Sequence, residues 1–177
     1  EEANKTYYLS EYGLEETYDL DNFYFTSFHM PYINEADIFK PVEWMRDAVF
    51  YQIFVERFNR GNFDKDDTYI NQKWLDLPSP KSFAGGDLRG ITEKLGYIKE
   101  LGINCLYLTP IFKSPTNHKY DIIDYFEIDP HFGDKKDFKK LVNKAHDLSI
   151  RIVLDAVFNH MSHLNPIFED VLSLIHI

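Results

Sequence analysis

From Trp44 onward the apolar positions of the chain alternate between short unbroken runs and stripes spaced by three or four residues. The runs "DAVFYQIFV" (47–55), "INCLYLTP" (103–110) and "RIVLDAV" (151–157) have the length and density of strands buried on both faces. Between the first two, Ile91, Leu95, Ile98 and Leu101 recur at spacings of four, three and three, which places them on one face of a helix over 91–102. Gly102 stands where a left-handed C-terminal cap is wanted. A second stripe, Phe138, Leu141, Val142, Ala145 and Leu148, predicts a helix over 134–148. Asp134 and Asp137 have capping-box spacing at its start, with Asp in place of Ser or Thr and of Glu. Strands alternating with helices pair in parallel through right-handed crossovers, so the fold class is α/β.

Residues 1–45 have no helical period. They mix aromatic and acidic residues, with β-prone pieces such as "NFYFTSF", and read as the last strands of an all-β module with a linker closed by Pro41. Composition adds limits. A 177-residue chain that is 44% apolar and 16% aromatic has enough apolar surface for the core of one domain. Its net charge of -10 argues against nucleic acid and against anionic membranes, since no basic surplus meets phosphate. No apolar stretch reaches the ~18–20 residues of a membrane span, and residues 1–30 lack the basic and apolar halves of a signal peptide. A cytoplasmic location is therefore expected, with secretion left open because the chain opens on Glu1 rather than Met. Cys105, alone inside an apolar run, reads as a core thiol.

Parallel sheets are open or closed, and the difference decides where chemistry is placed. An open dinucleotide-binding sheet needs a glycine fingerprint directly after a strand; "GGDLRG" (85–90) has no apolar strand before it and the wrong spacing. A closed (β/α)8 barrel gathers its site at the C-terminal ends of its strands. Asp155, Asn159 and His160 of "DAVFNH" fall at such an end. "SPTNHKYDIIDY" (114–125) follows the second strand and is expected to bring His118, Tyr120, Asp121 and Asp124 to the same face. The structural alternative is that Asp155 caps a turn and His160 is a satisfied framework residue; from "DAVFNH" alone the two readings are evenly matched.

Five blocks in order, "FYQIFVERF", "GGDLRGI", "GINCLYLTPIF", "HKYDIIDY" and "DAVFNH", resemble the α-amylase family of glycoside hydrolases (family 13). The branch they resemble contains neopullulanase, cyclomaltodextrinase and maltogenic amylase, and the likeness runs from about residue 20 to 171. It implies the end of a β-sandwich and a linker over 1–45, then the first three βα units of a (β/α)8 barrel over 46–160. Residues 161–171 would begin a domain inserted after strand three. The uncapped apolar end 172–177 is expected to be a non-native tail, because "LSLIHI" back-translates to a sequence resembling a transposon-end adapter.

The implied reaction is retaining hydrolysis of α-1,4-glucosidic bonds in cyclodextrins, maltooligosaccharides or pullulan, by two carboxyl groups roughly 5 Å apart. The family draws its three catalytic carboxylates from strands four, five and seven, so this chain is expected to hold none and to be inactive alone. By resemblance Tyr120 is the platform under the −1 glucose, His160 the partner of its 6-hydroxyl, and Asp155 the brace for an arginine from strand four. Asn159 would fix the loop or ligate calcium, and His118 would line the site. A core aromatic for Tyr120 and a turn residue for Asn159 are the plainer alternatives. A Ca2+ site is implied from Asn59, Asn62, Asp66, Asp67, Gly85 and Asp87, although Arg60 and Lys65 interrupt the loop "NRGNFDKDD", and a solvated acidic loop is the competing reading. No organic cofactor is implied; the expected partner is an α-glucan, and the resemblance is compatible with a homodimeric parent. The second function class is a non-catalytic carbohydrate-binding barrel of the same ancestry.

Overall fold

The computed structural model describes residues 5–10, 13–17, 38 and 40–175. Contacts divide the chain into two compact units, Glu1–Val42 and Glu43–Ile177, close to the change of composition at Trp44. In the first unit β1 (Tyr8–Ser10) and β2 (Gly13–Glu15) form an antiparallel hairpin with Leu9 opposite Leu14. "NFYFTSF" lies outside the described residues, and so do most of the residues on which the expected sandwich rests.

In the second unit a 3-10 turn (Glu43–Asp47) leads into β3 (Phe50–Ile53), followed by α1 (Leu88–Glu100) and β4 (Cys105–Leu108). Then come a short hairpin of β5 (Phe112–Lys113) and β6 (Asp124–Ile128), α2 (Lys135–Asp147), β7 (Arg151–Leu154) and α3 (Pro166–Ile175). The sheet has order β3-β4-β7 and both pairings are parallel, as the alternation predicts. Register follows from burial. The rows Tyr51–Leu106–Ile152 and Ile53–Leu108–Leu154 pack with Ile91, Leu95 and Ile98 of α1 and Leu141 and Ala145 of α2 in one apolar core. Because side chains alternate along a strand, Phe50, Gln52, Tyr107 and Val153 belong to the opposite face. There Phe50 and Gln52 are exposed, so β3 is not buried on both sides as its unbroken apolar text suggests.

The helices differ from expectation at their ends. α1 begins at Leu88, three residues before the predicted Ile91, because Asp87 caps it by accepting from the Gly90 amide at 2.8 Å. The glycine-rich look of "GGDLRG" had concealed a first helical turn. Leu101, expected in the apolar stripe, is 50% exposed and lies just past the helix; the stripe ends at Ile98, and Gly102 takes the left-handed conformation (φ +80°). α2 carries the full Asp134/Asp137 capping box.

Candidate functional site at the strand ends

The site residues are presented by the segments that leave β4 and β7. Tyr120 donates its phenol proton to Asp155 Oδ2 at 2.8 Å, which ties the segment after β4 to the first residue beyond β7. Tyr107, on the open face of β4, also senses Asp155: burial first, and then that carboxylate, raises its phenol pKa. Burial and its bond to the Asp155 carboxylate push the Tyr120 phenol up to about 12, so it is a donor at any physiological pH. Tyr107 was missed by sequence reasoning, although its alternation across β4 marks it as the polar-tipped residue of the open face.

The backbone around Tyr120 is unusual. Lys119 has φ +63°, a left-handed conformation that non-glycine residues seldom adopt. Its side chain is fully buried, with Nζ 2.8 Å from Asp129 Oδ2 and 3.0 Å from the Ser114 carbonyl. Burial lowers the Lys119 pKa, and the Asp129 charge opposes that shift. With Lys119 anchored inward, its neighbours His118 and Tyr120 are displayed together, ring centroids 5.9 Å apart. His118 Nδ1 accepts from the Tyr120 amide at 3.1 Å, so His118 shapes the loop as well as flanking the site. Asp121 instead serves this loop's framework, accepting from Ser114 at 2.6 Å and from Thr116. Asp124 lies within β6 and accepts from the Phe126 amide at 2.7 Å. Both carboxylates, expected on the same face as His118 and Tyr120, are thus engaged by local backbone and hydroxyl donors.

Asn159 and His160 are exposed and lie 3.3 Å apart, Nδ2 to Nδ1. Among the described residues no hydrogen bond or ring contact joins either to Tyr120 or Asp155. The turn that carries them is held by Tyr125, whose hydroxyl is 2.8 Å from the Val157 carbonyl and 2.9 Å from that of His160.

The six residues expected as calcium ligands are not gathered as a shell. Asp87 accepts from the amides of Gly61 and Asn62, each at 3.0 Å, as well as from Gly90. Asp67 pairs with Arg60 at 3.1 Å, Asp66 accepts from the Thr68 amide, and Asn59 donates to the Gly90 carbonyl. Asn62 Oδ1 accepts from the Asp64 amide. The Lys65 ammonium occupies the point where Gly85 and Asp87 converge. Calcium takes six to eight oxygens, and these residues, committed to amides and to cations, do not fit it. Among the described residues no three His, Cys, Asp or Glu side chains form a metal-holding group.

Glu56 is buried in the short 3-10 turn Val55–Arg57 that follows β3, with Oε1 accepting from the Gly85 amide at 2.7 Å. Its Oε2 makes no hydrogen bond, and burial raises its pKa. "FVERF" carried the signal: an acidic residue directly after an apolar run.

The profile of the α-amylase catalytic domain matches residues 52–175, a span holding both ends of the Tyr120–Asp155 bond. The chain belongs to the α-amylase family. Among its relatives, a cyclomaltodextrinase of Thermoanaerobacter pseudethanolicus is 49% identical over 152 residues, 86% of this chain and 26% of that protein. A solved cyclomaltodextrinase superposes with a TM-score of 0.75 at 43% identity, covering 98% of this chain and 29% of that one. The cyclic α-maltosyl-(1→6)-maltose hydrolase of Arthrobacter globiformis, solved with maltose, gives 0.71 at 46% identity over 75% of this chain and 30% of its own. This α-amylase-family chain thus spans about a quarter of the length of the curated relatives it matches. Among its described residues no helix is long and apolar enough to cross a membrane.

Proposed function

We propose that the chain is the first part of the (β/α)8 catalytic barrel of a retaining α-glucan hydrolase acting on α-1,4-glucosidic bonds in cyclodextrins, maltooligosaccharides or pullulan. The supporting observation is the 2.8 Å bond from Tyr120 to Asp155, which fixes an aromatic ring across the C-terminal ends of two parallel strands. Pyranose C–H bonds stack on such a ring, and a ring clamped by a carboxylate holds one tilt while the sugar distorts. Asp155 orients the phenol and would also pair with an arginine from the next strand. His160, exposed beside Asn159, would offer its imidazole to a sugar 6-hydroxyl. A nucleophile and an acid/base from later strands would complete a retaining pair roughly 5 Å apart.

The relatives' names, cyclomaltodextrinase and the maltose-bound hydrolase, support an oligomeric α-glucoside as ligand. NMR of the first product released from maltotriose or a cyclodextrin tests the reading in the full-length enzyme. An initial α-anomer is expected; an initial β-anomer, or binding without turnover, overturns it.

A further inference from the structure

Lys65 lies in the loop after β3, yet its ammonium is deep in the fold. Nζ donates to the Gly85 carbonyl at 2.8 Å and the His131 carbonyl at 2.7 Å, and pairs with Asp87 Oδ2 at 3.1 Å. The Lys65 side chain is 8% exposed and that of Asp87 1%. Three acceptors therefore meet the three protons of an ammonium, with none of either left over. These oxygens come from two separated stretches of the chain: the turn before α1, which supplies Gly85 and the capping Asp87, and the segment after β6, which supplies His131. Such oxygens repel one another unless a positive charge stands between them.

The distances suit nitrogen. Nζ is 2.7–3.1 Å from its oxygens, whereas calcium draws six to eight oxygens to 2.3–2.6 Å. Arg60, the other cation of the loop, is committed elsewhere, to Asp67 and to the Asn62 carbonyl. We infer that the Lys65 ammonium is the resident cation of this junction, a covalently tethered substitute for a divalent metal ion. A tethered charge cannot dissociate, so this junction is insensitive to chelation and to free-metal concentration.

The test compares the full-length enzyme with its Lys65→Ser variant, each melted in EDTA and in millimolar Ca2+. In EDTA the variant should melt at least about 5 °C lower, because it strands the buried Asp87 charge. Calcium should then raise the variant's Tm by more than it raises that of the wild type, since the vacated oxygens accept an ion. Equal calcium responses in the two proteins, or a variant as stable as the wild type in EDTA, overturn the inference. Should the variant fail to fold, wild-type crystals soaked in Tb3+ decide. Absence of an anomalous peak between Gly85, Asp87 and His131 supports the tethered cation, and a peak there refutes it. Both readouts are independent of catalytic activity.

Discussion

Tyr120 has two separable assets, a ring face and a hydroxyl, and substitution distinguishes them. Tyr120→Phe keeps the face and removes a hydrogen bond to a carboxylate, worth about 1.5–3 kcal/mol. In the full-length enzyme kcat/KM should fall about tenfold or more, and Tyr120→Ala should fall further as the stacking surface goes. Steady-state kinetics on maltotriose measures both; an unimpaired Phe variant would mean that the clamp is ornamental to catalysis. His160→Ala should leave Tm nearly unchanged, as expected for an exposed side chain, while lowering kcat/KM. A variant that melts early with full turnover per folded molecule would make His160 structural. Glu56 predicts a pH effect. Its folded-state pKa is raised above the ordinary 4.5 by burial, so the stability it contributes is fully present below 4.5 and is lost as pH rises through the higher folded value. Glu56→Gln retains an acceptor for the Gly85 amide and removes that loss. Urea midpoints from pH 4 to 8 should decline less for the variant than for the wild type.

At the scale of elements, two glycines of α1 make opposite predictions. A Cβ at Gly90 would lie 1.9 Å from the Asn59 carbonyl oxygen, so Gly90→Ala should push apart the loop and the first helical turn, costing about 2 kcal/mol or more. Gly96 has open space around its Cβ position, and Gly96→Ala should add up to about 1 kcal/mol from helix propensity. Denaturant melts of the two variants check the pair. The difference also explains what the sequence could tell. Ile91, Leu95 and Ile98 announce α1 because burial imposes a helical period on residue type, and the three apolar runs announce the parallel strands for the same reason. The start of α1 stayed hidden because Gly90 is required by close approach to Asn59, which no local pattern records. The β5/β6 hairpin was illegible for a related cause, since a two-residue strand is too short to impose alternation. At the site, Tyr120 and Asp155 were legible from their position at strand ends. Asp121 and Asp124 are claimed by donors two to seven residues away whose geometry only the folded loop sets, and the role of Lys65 depends on Gly85, Asp87 and His131, far away in sequence.

For the molecule as a whole, the uncovered face of the sheet matters most. Phe50 and Gln52 of β3 are exposed, and α3 leaves Ile167 and Leu174 largely open. Expressed as these 177 residues, the polypeptide should associate, bind a hydrophobic dye and melt without a sharp transition. Size-exclusion chromatography and calorimetry test this, and a monomer with a cooperative transition would contradict it. Beneath the strand ends the picture is the reverse. Asp129 accepts from the amides of Ser114 and His131 as well as from Lys119, and Glu56 holds Gly85. Together with the Lys65 bond to the His131 carbonyl, these ties join the segments leaving β3, β4 and β6, so their amides should exchange with solvent slowly and at one shared rate, opening only when the sheet opens. A sugar arriving at Tyr120 would then meet a rim whose shape was settled during folding, and ordering on association would be confined to the ligand.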